Sequence, residues 1–356
     1  MPSYRTVDGS ETESQFLDFL GKHRESVRSE IFRFIPKADG IQPMPFGLEK
    51  HWGMVVDYPE RGGKYVRPGL LLLSCQACGG DIKKALTTAA AMEISEDWLL
   101  IHDDLEDHSL ERRGKPTLHM MHGEELAVNA GDHLHLIMWK ILMSNNNCMD
   151  MPKACAVAEK MVDILQKTCE GQYLEISWTR DSRIISEDEY FEMVDRKTGW
   201  YTVIGPLQLG ALIAENHAAL PPIEKLGRSL GRAFQIHDDW LNVFSHSTGK
   251  ELGGDILEGK RTLLLIHLAE ELEKAGDRKN LDYIRKLFSL PREKKSGKDV
   301  DRVIKLYEKH GCREWVRAQA KSFADEALAG IDAIPYSAEG KIILKDAVRF
   351  IVNREL

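Results

Sequence analysis

Apolar residues return at three- and four-residue steps through most of this chain. In residues 13–35 they fall at Phe16, Leu17, Leu20, Val27, Ile31 and Phe34, which predicts an amphipathic helix. Pro36, Gly40, Pro43, Pro45 and Gly47 mark a connection, and Gly62-Gly63 punctuates again before a helix through residues 70–77. Helical periodicity then continues over residues 85–107, 126–143, 154–178, 187–214, 223–244 and 262–275. The breaks carry turn chemistry: Asn145, Asn146 and Asn147 with Pro152, residues 179–186, Pro221-Pro222, and the charge-rich stretch 289–298. Residues 300–310, 313–330 and 338–354 predict three further helices. No useful strand alternation and no fixed-period repeat interrupts the pattern. The expected fold is all-α: one helical bundle of ten or more helices over residues 13–356, preceded by a flexible polar tail at residues 1–12.

Composition narrows this. The chain has 356 residues, 43% hydrophobic and 29% charged, which is enough to bury a sizeable core without cross-links. Its net charge of −8 argues against a nucleic-acid binder. Six cysteines in a chain this long do not form a disulfide framework. Cys75 and Cys78 make a single CxxC and lack the second pair a zinc site wants, so they read as buried helix thiols. His119 with His122, and His133 with His135, likewise lack a third ligand. No basic stretch leads into an apolar core at the N-terminus, and no apolar run spans a bilayer. The expected setting is cytoplasmic, with no integral membrane segment.

Two acidic groups carry the candidate chemistry. Asp103-Asp104-Leu105-Glu106-Asp107 ends an apolar helix, and the four-residue step puts Asp103 and Asp107 on one face. Such carboxylates repel unless a cation lies between them. Mg²⁺ suits the role, because it pairs one or two carboxylates with waters and substrate phosphates. Phe234-Gln235-Ile236-His237-Asp238-Asp239-Trp240-Leu241-Asn242 repeats the arrangement, with an amide in the last place. Two apolar helices that turn acidic at their mouths predict two walls of one cavity, bridged by a metal-loaded diphosphate. Cations fall beside them: Lys64 and Arg67 on one expected helical face, Arg112 and Arg113 after the first group, Lys197-Thr198 within a helix, and Lys250 and Lys260 after the second. Arginine forks and lysine point charges both grip phosphate.

The ordered set GGKYVRP (62–68), HDDLED (102–107), RRGKPTLH (112–119), NAGD (129–132), Glu170-Gly171-Gln172, Lys197-Thr198, FQIHDD (234–239) and GGDILEGKRT (253–262) resembles the trans-isoprenyl diphosphate synthases, the farnesyl and geranylgeranyl diphosphate synthase family, over nearly the whole chain and most of all their prokaryotic geranylgeranyl branch. The resemblance implies an all-α homodimer with a deep central cavity. It implies Mg²⁺, three ions per site with Mn²⁺ as a substitute, on Asp103, Asp107 and Asp238. Arg112, Lys197, Thr198, Gln235, Lys250 and Lys260 would then surround an allylic diphosphate, and Lys64, Arg67 and Arg113 would hold isopentenyl diphosphate. Trp98 and Leu99, below the first acidic group, would limit the product to C15 or C20, with C20 favoured. Asp104 and Asp239 would support the ligands. The chain departs from the pattern at Glu96, where many relatives have a diphosphate-binding histidine, and at Asn242, where an aspartate is common.

Three other readings share some of these residues. A class I terpene cyclase also ionises an allylic diphosphate, but leaves Lys64, Arg67 and Arg113 without a task. An HD-type phosphohydrolase would use His102-Asp103 and His237-Asp238, but leaves the glycine-flanked basic motifs idle. A silent partner subunit would have no need of the five aspartates kept in the two groups.

Overall fold

The computed structural model describes residues 2–5, 11–180, 183–245 and 252–353. Strand β1 (Ser3–Arg5) pairs antiparallel with β2 (Glu11–Glu13), and Tyr4 is buried edge-on against Phe350. A short ladder thus occupies part of the stretch expected to be a loose tail. Helix α1 (Gln15–Ile31) starts at Ser14, whose hydroxyl accepts from the Leu17 N–H at 3.1 Å and donates to Asp346 Oδ2 at 2.6 Å. That cap ties the first helix to the last.

Helices α2 (Leu48–Arg61), α3 (Val66–Ala77) and α4 (Ile82–Glu106) follow. A tight ladder, β3 (Glu111–Arg112) on β4 (Lys115–Pro116), leads into α5 (Leu118–His122), α6 (Glu124–Met143) and α7 (Met151–Arg180). Helix α8 (Glu187–Val194), opened by the Ser186–Glu189 capping box, runs into a π-helical segment, Asp195–Ile204, and then α9 (Gly205–Ile213). Helices α10 (Leu220–Phe244), α11 (Gly254–Glu258), α12 (Leu263–Lys274), α13 (Arg278–Phe288), α14 (Gly297–Lys309), α15 (Cys312–Gly330) and α16 (Ala338–Asn353) complete the chain.

The fold is all-α, as expected, with differences in its parts. Helix α2 fills a segment assigned no element, because Gly53 and Pro59 are poor helix formers within it. Helix α13 is also additional. The continuous helix expected over residues 187–214 is three pieces, since a π segment keeps helical periodicity while widening its turns.

Burial divides into two apolar cores. One gathers α1, α3, α4, α6, α7, α9, α16 and the first half of α10. The other gathers α8, α12, α13, α14 and the end of α10, including Ile236, Trp240 and Leu241. Helix α10 runs from one core into the other, so its acidic group lies within the second. No described helix is long and apolar enough to cross a membrane.

Candidate active site

Helix α4 delivers its acidic group at its last turn, where Asp103 and Asp107 project from one face and Asp104 turns inward. Asp104 is fully buried. It accepts from Arg112 Nε at 2.9 Å and from Tyr58 Oη at 2.6 Å, and Arg112 Nη2 closes a second bond to it. This carboxylate therefore fixes the Arg112 fork, whose Nη2 lies 3.6 Å from Asp103 Oδ2. Asp103 also faces Lys197 Nζ at 3.6 Å and the Gln172 amide at 3.2 Å.

Lys197 and Thr198 ride on the π segment. Gly171 of α7 lets that segment come close, since a Cβ there would stand 2.5 Å from the Lys197 backbone nitrogen. Lys197 bonds Glu175 of α7. Burial disfavours its charge, but Glu175 and Asp103 outweigh that and hold the ammonium above its ordinary range. Thr198 Oγ1 donates to Gln235 Oε1 at 2.6 Å, and the Gln235 amide donates to Asp239 Oδ1 at 2.8 Å. Tyr190 Oη donates to the other Asp239 oxygen at 2.8 Å. Burial pushes Asp239 up to about 7, against those two hydrogen bonds.

Lys260 closes the cleft from the loop after α11. Its Nζ reaches Asp107 Oδ2 at 2.7 Å and Glu258 Oε2 at 3.1 Å. Burial raises Asp107 to about 7, with Lys260 opposing and Asp103 reinforcing. Buried cations brace the loop: Lys295 donates to the Ile256 and Leu257 carbonyls at 3.1 and 2.8 Å, and Arg261 donates to Gly259 and Phe288. Asn242, an amide where an aspartate is common, uses its amide oxygen to accept from the Asp255 N–H at 3.0 Å. It anchors the loop.

A second cationic group sits deeper along α4. Arg67 pairs with Glu96 at 2.8 Å, and Arg113 with Asp97 at 3.0 Å. Lys64 does not share a helical face with Arg67, contrary to expectation. Tyr65, at φ 57°, breaks the path between them, so Lys64 precedes α3 and is exposed. Trp98 is buried with its ring 4.8 Å from that of His135 on α6, while Leu99 lies one turn below Asp103 on the same face. Lys250 lies outside the described residues.

Glu175, Glu258 and Tyr58 belong to the site and were not picked out in the sequence. Gln172 and Glu175, three apart on α7, reach the α4 carboxylates or their lysine partners only through the tertiary fold, and Tyr58 meets Asp104 in the same way. Glu175 links the two acidic groups: burial would raise it, but Lys197 and Lys260 hold it low, and both Asp107 and Asp239 sense its charge. Among the described residues no three metal-binding side chains converge as a ready-made cage. Oxygen-only donors on two helix ends, balanced by lysines, nonetheless suit a hard cation that takes its remaining ligands from water and phosphate.

A polyprenyl synthetase family model matches residues 50–306. The short chain isoprenyl diphosphate synthase of Methanothermobacter thermautotrophicus is 35% identical over 298 residues, 83% of this chain and 87% of that protein. The geranylgeranyl pyrophosphate synthetase structure from Pyrococcus horikoshii Ot3 is similar at TM-score 0.81 and 30% identity, covering 96% of this chain and 99% of that one. A geranylgeranyl pyrophosphate synthase from Corynebacterium glutamicum, complexed with isoprenyl diphosphate and magnesium, reaches TM-score 0.85 at 25% identity, covering 94% and 99%. The chain therefore belongs to the polyprenyl synthetase family and is a prenyltransferase of the short-chain isoprenyl diphosphate synthase type.

Proposed function

We propose that this enzyme condenses isopentenyl diphosphate with an allylic diphosphate and that its main product is geranylgeranyl diphosphate (C20), with the C15 farnesyl diphosphate as the shorter outcome. The observation that carries the reading is the presence of two separate cationic groups along α4. Arg112, Lys197 and Lys260 surround the acidic mouth, and Arg67 and Arg113 form a second group below it. A cyclase or a hydrolase needs only the first.

Magnesium held by Asp103, Asp107 and Asp238 would neutralise charge on the leaving diphosphate. The chain's own cations add to that. Arg112, Lys197 and Lys260 are now balanced by carboxylates and would turn to the diphosphate as it binds. Breaking the allylic C–O bond leaves a carbocation. Thr198 Oγ1 and the Gln235 amide, oriented through Asp239 and Tyr190, offer it oxygen dipoles that do not capture it. The isopentenyl double bond attacks, a C–C bond forms, and the proton lost from the new cation passes to an oxygen of the departing diphosphate. Leu99, one turn below Asp103, would meet the growing tail first, with Trp98 packed beside it.

The assay is radiolabelled isopentenyl diphosphate with dimethylallyl, geranyl or farnesyl diphosphate in the presence of Mg²⁺, with products resolved by length. A C20 diphosphate that disappears in Asp103→Ala and in EDTA is the expected result. Consumption of the allylic substrate with no incorporation of isopentenyl diphosphate would overturn the assignment.

A further inference from the structure

Below the acidic mouth, α4 carries three more carboxylates to which the proposed reaction assigns no task. Glu93, Glu96 and Asp97 fall at three- and four-residue steps and share one face. Glu93 and Asp97 are each only 2% exposed. Glu96 Oε2 pairs with Arg67 Nη1 at 2.8 Å, and its Oε1 stands 4.0 Å from Arg113 Nη2. Asp97 takes the other arm of Arg113 at 3.0 Å. Arg67 is held further by a bond from Nη2 to Thr202 Oγ1 at 3.0 Å and by the Tyr201 ring, 4.6 Å from its guanidinium. One oxygen of Glu93 is buried without a hydrogen-bond partner. Burial and the charges of Glu96 and Asp97 raise its carboxyl well above the usual range, so this pocket is already saturated with negative charge.

The arrangement differs from that at the mouth. There, Asp103 and Asp107 can turn from lysine to a metal when substrate arrives. Glu96 is seven residues before Asp103, roughly 10 Å along the helix axis. A cation at the mouth cannot take over its charge. Glu96 and the two phosphates of a bound diphosphate must therefore compete for the same guanidinium groups.

We propose that Glu96 sets the affinity of the second diphosphate site: it is an internal carboxylate that occupies the Arg67–Arg113 fork and must be displaced before a diphosphate binds. It keeps the pocket's affinity for any diphosphate low, so a diphosphate bound there leaves readily between turnovers. The proposal rests on the assignment of Arg67 and Arg113 to that substrate.

The test compares wild type, Glu96→Gln and Glu96→Asp as full-length protein. Inorganic diphosphate is titrated calorimetrically in EDTA, where the metal-dependent mouth is silent, and KM is measured for each substrate with Mg²⁺. Glu96→Gln keeps the shape and removes the charge. It should bind inorganic diphosphate about tenfold more tightly, the effect of one like charge removed at this depth. KM for isopentenyl diphosphate should fall by a similar factor, with KM for the allylic substrate unchanged. Glu96→Asp keeps the charge and should stay near wild type, and thermal melts establish that both variants fold. Weaker diphosphate binding with a raised KM in Glu96→Gln would make Glu96 a positioner of Arg67 and overturn the proposal, as would unchanged values. Failure of the wild type to incorporate isopentenyl diphosphate would remove the synthase assignment, while the EDTA titration still judges Glu96 as a competitor for diphosphate.

Discussion

Asp104 shows how far one carboxylate can be committed to structure inside an acidic motif. Its two oxygens take Arg112 and Tyr58 and leave nothing for a metal. Asp104→Ala strands the Arg112 charge in a buried place and should cost about 3 kcal/mol in urea denaturation, since removing one partner of a buried pair is far more costly than losing a surface pair. It should also lower kcat, because Arg112 loses its orientation toward Asp103. Asp97 gives a prediction in pH. Burial raises its carboxyl to about 7, against Arg113, from an ordinary 3.8. A group raised on folding binds more protons in the native state, so its stability contribution is present below about pH 4 and is lost as pH rises to about 7. Asp97→Asn cannot ionise. Its stability relative to wild type should therefore climb across that window, at up to about 1.4 kcal/mol per pH unit, and then level off. A flat difference between the two melts would show that Asp97 ionises freely. The aspartates proposed to face metal were legible because two acidic groups ending apolar helices are hard to explain otherwise. Tyr58 and Glu175 were not, because each meets its partner only through the tertiary fold, and nothing in local spacing names a residue 46 or 22 positions away.

At the scale of elements, the π segment is the part that periodicity could not see. Residues 187–214 are apolar at helical steps, and a turn widened by one residue leaves that pattern readable as a single helix. The segment is held by close backbone approach. A Cβ on Gly231 of α10 would stand 2.5 Å from the Gly199 Cα. Gly231→Ala should therefore shift the segment that carries Lys197 and Thr198, cost about 1–3 kcal/mol, and reduce kcat more than a change at an equally buried site elsewhere. Retained activity with full stability would show that the segment adjusts freely. Helix α4 shows what periodicity does give. Its carboxylates at 93, 96, 97, 103, 104 and 107 form a stripe that the sequence displays, though only the structure divides it into a lysine-paired end and an arginine-paired middle. The same helix sets the expected depth of the product cavity. Leu99→Ala, one turn below Asp103, should move products toward longer chains, whereas Trp98→Ala should mainly loosen the contact with His135.

For the whole molecule, the all-α architecture followed from helix periodicity, but the association of chains had to come from resemblance, because a helix pattern alone does not tell a core face from a docking face. Helix α6 shows why. Ala127, Ala130, Leu134, Ile137, Met138 and Ile141 are buried toward α4, yet the opposite face exposes Val128, Leu136 and Met143, at 37%, 65% and 66%. Scattered exposed side chains need no explanation, but three large apolar groups on one face of a twenty-residue helix, beside the exposed Met120 and Met121 of α5, make a face that water disfavours. A second copy of the chain meeting it by a two-fold axis would cover both faces at once, as the proposed homodimer requires. Leu136→Glu with Met143→Glu would place charges across that axis from their own counterparts. The double variant should elute at the mass of one chain in light-scattering chromatography, where wild type should elute at twice that mass. Helix α6 also packs on α4, which lines both cationic groups, so the monomer should keep its helical content and lose part of its turnover. A variant that stays at twice the chain mass would move the interface elsewhere.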